Sequence, residues 1–350
     1  MSLPELLGHS DAIEGMWRAA AADRLPHAFL FKGPAGVGKF LAAQHFALGL
    51  FCASSSESRR AGEVTPPCNT CGPCKRFLTG NHPDLFVIDA PAHGQNQITI
   101  HFISHRDERP KDAYQGVALE DFLLLRAYEG AFRVVLLREA ERMNEAAQNA
   151  LLKVLEEPAP DTILVLETSA PGRLLQTVRS RVISVEFGAL DPGDTRAILA
   201  GLDDGPGHDL ELLVEMSQGS PGRALEMAAR AAPEMCALLR EVAAGERSER
   251  DAADKLWELE GEFPGKTPRA GARLRAASFL DLGLNMFLET ERDATSEADL
   301  PGGSHARRRW RLDRWLEARQ DIELNLSPEA AVERALYALH PAAAFERGKR

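Results

Sequence analysis

The sequence predicts an α/β protein in which helices cover both faces of a parallel sheet and an all-helical part follows. Short apolar runs alternate with helical patterns over about residues 1–188, the order expected for a parallel sheet. A glycine-rich loop joins the first apolar run to a helix. After Asp191-Pro192, a helix-start sequence, the pattern is helical to the end of the chain.

The strands are predicted from short apolar runs at residues 27–31, 85–88, 134–137, 163–166 and 182–187. One helix is predicted at 39–50. Another begins after Asn144, a favourable N-cap, and continues to Glu157, where Pro158 stops it. The polar segment 90–117 is predicted to be mostly loop, with a short strand at 98–100.

Three domains are predicted along the chain. Residues 1–188 carry the sheet and an insertion at 51–80 that contains four cysteines. Residues 189–245 are predicted to form a small helical bundle, and residues 246–350 a further helical domain. Within the third domain, the charged and glycine-containing stretch 290–306 predicts a mobile connection.

Composition and charge narrow the class of protein. The chain has 350 residues, 44% of them hydrophobic, and a formal net charge of -11. This charge disfavours a protein whose whole surface binds nucleic acid, although a local basic patch is compatible with it. No apolar run is long enough to span a membrane, and residues 1–5 do not begin a signal peptide. We therefore expect a cytoplasmic protein without membrane contact.

Residues 33–40 match a phosphate-binding loop at all but the last position. Gly33, Gly36, Gly38 and Lys39 fit the pattern G-x-x-x-x-G-K-[ST], but Phe40 stands where the pattern requires a hydroxyl. That hydroxyl holds Mg²⁺ on the nucleotide in working enzymes of this type. The loop is therefore expected to lack one of its two metal ligands.

The second metal ligand is also missing. It would be an acid at the end of the strand at 134–137, but Arg138 follows that strand. Glu139 stands where a water-activating acid would lie. Since both losses affect the same ion, we expect no ATP hydrolysis and weak or no ATP binding. A tight glycine turn kept for packing is the favoured alternative, and weak phosphate binding by the loop amides stays open.

Four cysteines form the second candidate site. Cys52, Cys68, Cys71 and Cys74 follow the spacing C-x15-C-x2-C-x2-C, which suits tetrahedral Zn²⁺ bound by four thiolates. Such a closed site is structural, and it would hold together an insertion that has few apolar residues. Four reduced thiols in a loop are the less favoured alternative.

The chain resembles the delta-prime family of clamp-loader subunits of bacterial DNA polymerase III, within the AAA+ superfamily. The resemblance covers about residues 25–225 and includes the four cysteines. Its other blocks are LPHAFLF at 25–31, HPD at 82–84, EAERM at 139–143, NALLKVLEEP at 149–158, SRV at 180–182 and GSPGRAL at 219–225.

The resemblance implies a two-part AAA+ module, in which the helical bundle is a lid, and a helical collar that joins neighbouring subunits. It implies a stator that does not hydrolyse ATP itself. Arg181, in the family motif Ser-Arg-Cys, would be an arginine finger for ATP on a neighbouring tau/gamma subunit, and Val182 replaces the Cys. Arg223 matches a second sensor arginine. The implied partners are tau/gamma and delta subunits and, through the complex, the sliding clamp and primed DNA.

Two other functions are compatible with parts of the sequence. An active ATPase of the same family would have to tolerate Phe40 and Arg138. A zinc-dependent nucleic-acid-binding module would use the basic stretch 307–319, where Trp310 and Trp315 lie among arginines. The favoured interpretation of that stretch is a helix whose tryptophans pack inward while the arginines face solvent or acidic partners.

Overall fold

The computed structural model describes residues 3–60, 65–104, 113–129, 131–202, 210–265, 267–293 and 305–340. The chain separates into two compact units. The first, here called the α/β unit, comprises Met1–Ile198 and Ser217–Gly222, and the second, the helical unit, comprises Leu199–Met216 and Arg223–Arg350. The predicted division of the helical part into two domains stays a prediction.

A five-stranded parallel sheet forms the centre of the α/β unit. Its strands have the order β2-β3-β4-β1-β5, and every neighbouring pair is parallel. The central strands are buried on both faces, which explains their near-continuous apolar sequences. The strands are β1 (Ala28–Lys32), β2 (Leu85–Ile88), β3 (Arg133–Leu137), β4 (Thr162–Thr168) and β5 (Ile183–Glu186).

Helices cover both faces of this sheet, as predicted. Alternate residues of β1 point to opposite faces, so Phe29 and Phe31 enter one core cluster and Leu30 enters the other. The helices are α1 (Ser10–Ala21), α2 (Lys39–Phe51), α3 (Ala53–Arg60), α4 (Gly72–Leu78), α5 (Ile100–Ile103), α6 (Leu119–Leu124), α7 (Glu145–Glu156), α8 (Gln176–Arg179) and α9 (Pro192–Ala200).

The predicted helix after Asn144 has the expected boundaries. The Asn144 side chain accepts a hydrogen bond from the Ala147 N–H at 2.9 Å, which caps α7. The helix ends at Glu156, two residues before Pro158.

The predicted strand at 98–100 is wrong. Ile98 makes a single parallel bridge to Met143, and the chain then turns at Thr99 into α5, which begins at Ile100. Two hydrogen bonds, Ile98 N to Arg142 O and Asn144 N to Ile98 O, complete the bridge. Residues 105–112 of the predicted loop lie outside the described part of the chain.

The helical unit contains two apolar clusters. Trp315, Phe279 and Leu336 are fully buried in the larger one, and the smaller one consists of Leu199, Leu213, Val214 and Ala224. The remaining helices are α10 (Leu210–Ser217), α11 (Pro221–Ala229), α12 (Ala232–Ala244), α13 (Glu249–Glu258), α14 (Pro268–Asp293), α15 (His305–Glu323) and α16 (Pro328–Leu339). They belong to this unit except for the last residue of α10 and the first two of α11. Of the predicted connection at 290–306, residues 294–304 lie outside the described residues. Among the described helices, none combines the length and apolarity needed to cross a membrane.

Candidate functional site

The loop at residues 33–40 connects β1 to α2, as a phosphate-binding loop should. Gly33 has a φ of +154°, and a Cβ there would lie 2.1 Å from the Phe187 carbonyl oxygen. Gly38 has a φ of +97° and is the N-cap of α2. These two positions therefore need glycine because of close backbone approach and left-handed conformation.

Lys39 is buried and points back into its own loop. Its Nζ donates to the carbonyl oxygens of Gly33 at 3.0 Å and Pro34 at 2.6 Å. It also forms an ion pair with Glu167 Oε1 at 3.1 Å, and its side chain is only 2% exposed. An ammonium group has three hydrogens to donate. All three have acceptors from the chain itself.

Glu167 was not predicted as a site residue. It lies near the end of β4, beside Phe31 of β1 in the sheet register. Its second oxygen, Oε2, accepts the Glu139 N–H at 3.0 Å, so the carboxylate bridges the lysine and the end of β3. A single acid inside the apolar run of β4 is the sequence feature that could have marked it.

The other carbonyl groups of the loop are also hydrogen-bonded within the α/β unit. Together with the two acceptors of Lys39, five consecutive carbonyls take part, from Gly33 to Val37. The remaining donors are Ser220 Oγ to Ala35 O at 2.8 Å, Gly222 N to Gly36 O at 2.9 Å and His9 Nε2 to Val37 O at 3.1 Å. Hydrogen bonds thus connect the loop to His9 and to the segment Ser217–Gly222.

The two residues that replace the metal ligands contact each other. The guanidinium carbon of Arg138 lies 5.3 Å from the centre of the Phe40 ring, within cation–π range. Arg138 Nη1 also pairs with Asp89 Oδ2 at 3.1 Å. Glu139 has a left-handed backbone and its carboxylate is paired with Arg142. No carboxylate of this group is left without a cationic or N–H partner among the described residues.

The four cysteines come together as predicted. Cys52 ends α2, Cys71 is the N-cap of α4 and Cys74 lies inside α4. The four Sγ atoms lie within 4.8 Å of one another. Sulfurs about 2.3 Å from a shared Zn²⁺ would lie about 3.8 Å apart in a tetrahedron, so the cluster needs little adjustment to hold such an ion.

Local hydrogen bonds favour thiolate at one of these sulfurs. Hydrogen bonds from Thr70, first from its backbone, lower the pKa of Cys68 to about 6, and the Cys71 N–H acts in the same direction. Burial raises the pKa of the Cys74 thiol in the metal-free cluster. Mutual repulsion would oppose four thiolates without an ion, and a bound cation would remove that repulsion. The donor set therefore fits a metal ion.

Arg181 lies just after α8, next to the end of α7. Its Nη2 pairs with Glu156 Oε1 at 2.7 Å, and its Nη1 donates to the Thr177 carbonyl at 3.0 Å. The side chain is 36% exposed. An exposed guanidinium held by one surface carboxylate can exchange partners at small free-energy cost.

The basic stretch 307–319 forms most of α15. Trp315 is fully buried, between Phe279 and Phe287, and Trp310 packs partly against the same core. A ring that stacks on bases must be exposed, and Trp315 is not. The prediction that the arginines face solvent is wrong for Arg308 and Arg311, which are each only 7% exposed. Arg223 lies half-buried in α11 of the helical unit.

Comparisons with known proteins agree on one family. A family model described as DNA polymerase III, delta subunit, matches residues 8–191. Subunit delta' of DNA polymerase III from Pseudomonas aeruginosa is 37% identical over 198 residues, 56% of this chain and 53% of that protein. Subunit delta' from Bacillus subtilis is 32% identical over 202 residues, 58% of this chain and 54% of that protein. The chain spans about half the length of these curated relatives.

Relatives of lower identity include subunits named gamma/tau. DNA polymerase III subunit gamma/tau from Mycobacterium tuberculosis is 31% identical over 228 residues, 63% of this chain and 35% of that protein. Among solved structures, a DNA polymerase III gamma subunit-related protein from Thermotoga maritima has a TM-score of 0.46 at 17% identity. That similarity covers 94% of this chain and 99% of the other. The family match over more than half of the chain shows that it belongs to the delta-prime family of DNA polymerase III clamp-loader subunits.

Proposed function

We propose that this chain is a non-hydrolysing stator subunit of a clamp loader, which gives an arginine finger to a neighbouring ATPase subunit. One observation carries the proposal: the residues at both metal-ligand positions are Phe40 and Arg138, and they stack on each other. Mg²⁺ neutralises the charge that develops during phosphoryl transfer. A site with a phenyl ring and a guanidinium in place of oxygen ligands cannot hold that ion.

The arginine has the complementary role. Arg181 matches the finger arginine of the Ser-Arg-Cys motif, and its exposed side chain is accessible to another subunit. A guanidinium that reaches the γ-phosphate of ATP on that subunit would stabilise the transition state there. The chain would then assist hydrolysis by its neighbour without carrying out any itself.

The partners follow from this role. They are ATPase subunits of the tau/gamma type and a delta subunit, and the whole complex loads the sliding clamp onto primed DNA in the cytoplasm. The chain would thus be a component of a DNA-directed DNA polymerase holoenzyme. The family membership and the similarity to gamma/tau subunits support this assignment.

Zn²⁺ at Cys52, Cys68, Cys71 and Cys74 would be structural. The four-thiolate set leaves no open coordination position for water or substrate. Helix α4 is tied to the rest of the α/β unit by Arg76, whose Nε donates to Glu129 Oε2 at 2.8 Å. The ion would therefore fix the position of α4 and take no part in chemistry.

The experiment replaces Arg181 by Ala in a reconstituted clamp loader and measures DNA-stimulated ATP hydrolysis. We expect hydrolysis at the affected interface to fall by about 10³ or more, because finger arginines contribute that much. Arg179→Ala, at a neighbouring exposed arginine of α8, is the matched control and should leave the rate unchanged.

Two results would contradict the proposal. Full activity of the Arg181→Ala complex, with normal assembly, would exclude the finger role. Turnover of ATP and Mg²⁺ by the isolated wild-type chain would instead favour an active ATPase of the same family.

A further inference from the structure

We propose that Glu167 is an internal substitute for a nucleotide phosphate, which holds Lys39 and closes the loop at 33–40 to phosphate ligands. The inference rests on the proposed non-hydrolysing role. It adds a reason why the loop would not bind a nucleotide at all. The missing metal ligands explain the loss of hydrolysis. They do not explain a loss of binding, because loop amides and the lysine can bind phosphate without a metal.

The first step concerns the lysine. In a working loop of this type the lysine ammonium contacts the β- and γ-phosphates. Here the lysine side chain is 2% exposed, and its ammonium donates to two loop carbonyls and to Glu167 Oε1 at 3.1 Å. A phosphate oxygen could gain this lysine only by displacing one of those acceptors.

The second step concerns the carboxylate. Glu167 Oε1 binds the cation while Oε2 accepts the Glu139 N–H at 3.0 Å, so both oxygens are used. The acid is fixed on β4 in register with Phe31, two residues before the loop. Because it is part of the same chain, it competes with a dissolved anion at a high effective concentration.

The third step concerns the backbone of the loop and the N-terminus of α2. The glycine-containing loop backbone and the start of α2 keep the conformation of an anion cradle, and the first N–H groups of a helix have no acceptor within it. Removal of the negative charge at Glu167 would leave a buried cation beside this cradle. That arrangement favours an anionic ligand such as a nucleoside triphosphate or inorganic triphosphate.

The test measures binding of ATP and of inorganic triphosphate, without Mg²⁺, to the full chain by calorimetry. We expect Glu167→Gln to bind at least about tenfold more tightly than wild type, since a charge-assisted hydrogen bond to Lys39 becomes available. Triphosphate should also raise the Tm of Glu167→Gln more than that of wild type. Lys39→Met combined with Glu167→Gln should abolish the gain.

Glu186→Gln is the matched control. Glu186 on β5 pairs with Lys32 of β1 at 2.6 Å, so this variant removes one carboxylate from another lysine–glutamate pair of the same sheet. Its affinity for triphosphate should equal that of wild type. If Glu167→Gln does not fold, Glu167→Asp, which withdraws the carboxylate by one methylene, decides the question by the same measurements.

Equal affinities of wild type and a folded Glu167 variant would overturn this inference. The same gain in Glu186→Gln would also overturn it, because the effect would then come from net charge alone. Neither outcome bears on the stator role, which is tested by the Arg181→Ala complex and by turnover of the wild-type chain.

Discussion

The charged side chains at the loop 33–40, Lys39 and Arg138, each have an acidic partner within the chain. A lysine as buried as Lys39 would be strongly destabilising without a partner, and Glu167 supplies one. Arg138 lies over the Phe40 ring and pairs with Asp89. The loop can therefore keep its conformation without a nucleotide, because no charge in it depends on a ligand.

A buried imidazole, His82, makes the α/β unit sensitive to acid. It stacks on Phe51 with 3.9 Å between ring centres, and its Nδ1 accepts the Asp84 N–H at 3.2 Å. Burial lowers the pKa of His82 below 6.5, against the opposing effect of Asp84; nearby Arg76 lowers it further. Below about pH 6.5 His82 is protonated in the unfolded chain more readily than in the folded chain, because its pKa is lower in the folded chain. The free energy of unfolding therefore decreases as the pH falls.

We predict that His82→Gln reduces this pH dependence. The free energy of unfolding in urea should fall less steeply between pH 6.5 and pH 5 in the variant than in wild type. Burial also lowers the pKa of His9 and His45, so a residual slope is expected. Identical slopes in the two proteins would contradict the prediction, because they would show that the pKa of His82 is the same in the folded and the unfolded chain.

At the residue scale, a motif fixes some positions in the sequence alone. Phe40 and Arg138 stand at set places relative to the glycine-rich loop and a strand end, so a site without metal ligands could be predicted there, and the absence of hydrolysis stays a prediction. Glu167 could not be assigned, because its contact with Lys39 depends on the pairing of β1 with β4, two strands that lie far apart in the sequence. The Phe40–Arg138 contact likewise required the structure.

At the scale of elements, the segment that carries the cysteines has too few apolar residues to be stabilised by hydrophobic packing alone. Helix α3 is polar, and α4 contributes only Phe77 and Cys74 to the buried core. Four sulfurs within 4.8 Å give the segment a common centre. The spacing of the cysteines predicted this cluster directly, because C-x2-C-x2-C restricts the geometry without help from the rest of the fold.

We predict that Cys74→Ser abolishes zinc binding and lowers the Tm of the protein by about 10 °C or more, since metal binding is coupled to folding. Zinc content by atomic absorption and thermal unfolding with and without a chelator would check this. Cys236→Ala is the control, because Cys236 is buried in the helical unit beside Met216 and should leave zinc content unchanged. A zinc-free wild-type protein with full stability would contradict the prediction.

Other elements show why short patterns mislead. Ile98, Thr99 and Ile100 favour a strand by residue type, yet only Ile98 pairs with another segment. Three residues are too few to distinguish a strand from a helix start. Longer runs such as β4 and α7 were predicted within one or two residues, because their periodicity and caps agree.

On the scale of the whole molecule, the chain maintains separate apolar cores. The α/β unit has one on each face of its sheet, and the helical unit has a large one around Trp315 and a small one around Leu213. The alternation of strands and helices predicted the first unit. Beyond residue 245 the sequence predicted helices but not how they pack, because helix pairing depends on contacts between residues far apart in the chain.

We predict that Trp315→Ala destabilises the protein by about 3 to 5 kcal/mol, because it leaves a large cavity at the centre of the helical core. Chemical unfolding followed by circular dichroism would measure the loss. Leu316→Ala, at the adjacent exposed position of α15, should change the free energy of unfolding by less than about 1 kcal/mol. Similar losses in both variants would show that Trp315 has no special place in the core.

The pairing of Arg181 with Glu156 has a consequence for assembly. The chain already offers its guanidinium an anion of its own, so the arginine is oriented before any other subunit arrives. In the proposed finger role, docking onto a nucleotide-loaded neighbour would exchange one anion for another, and little side-chain entropy would be lost. Glu156 would accept the arginine again once that neighbour had released its product.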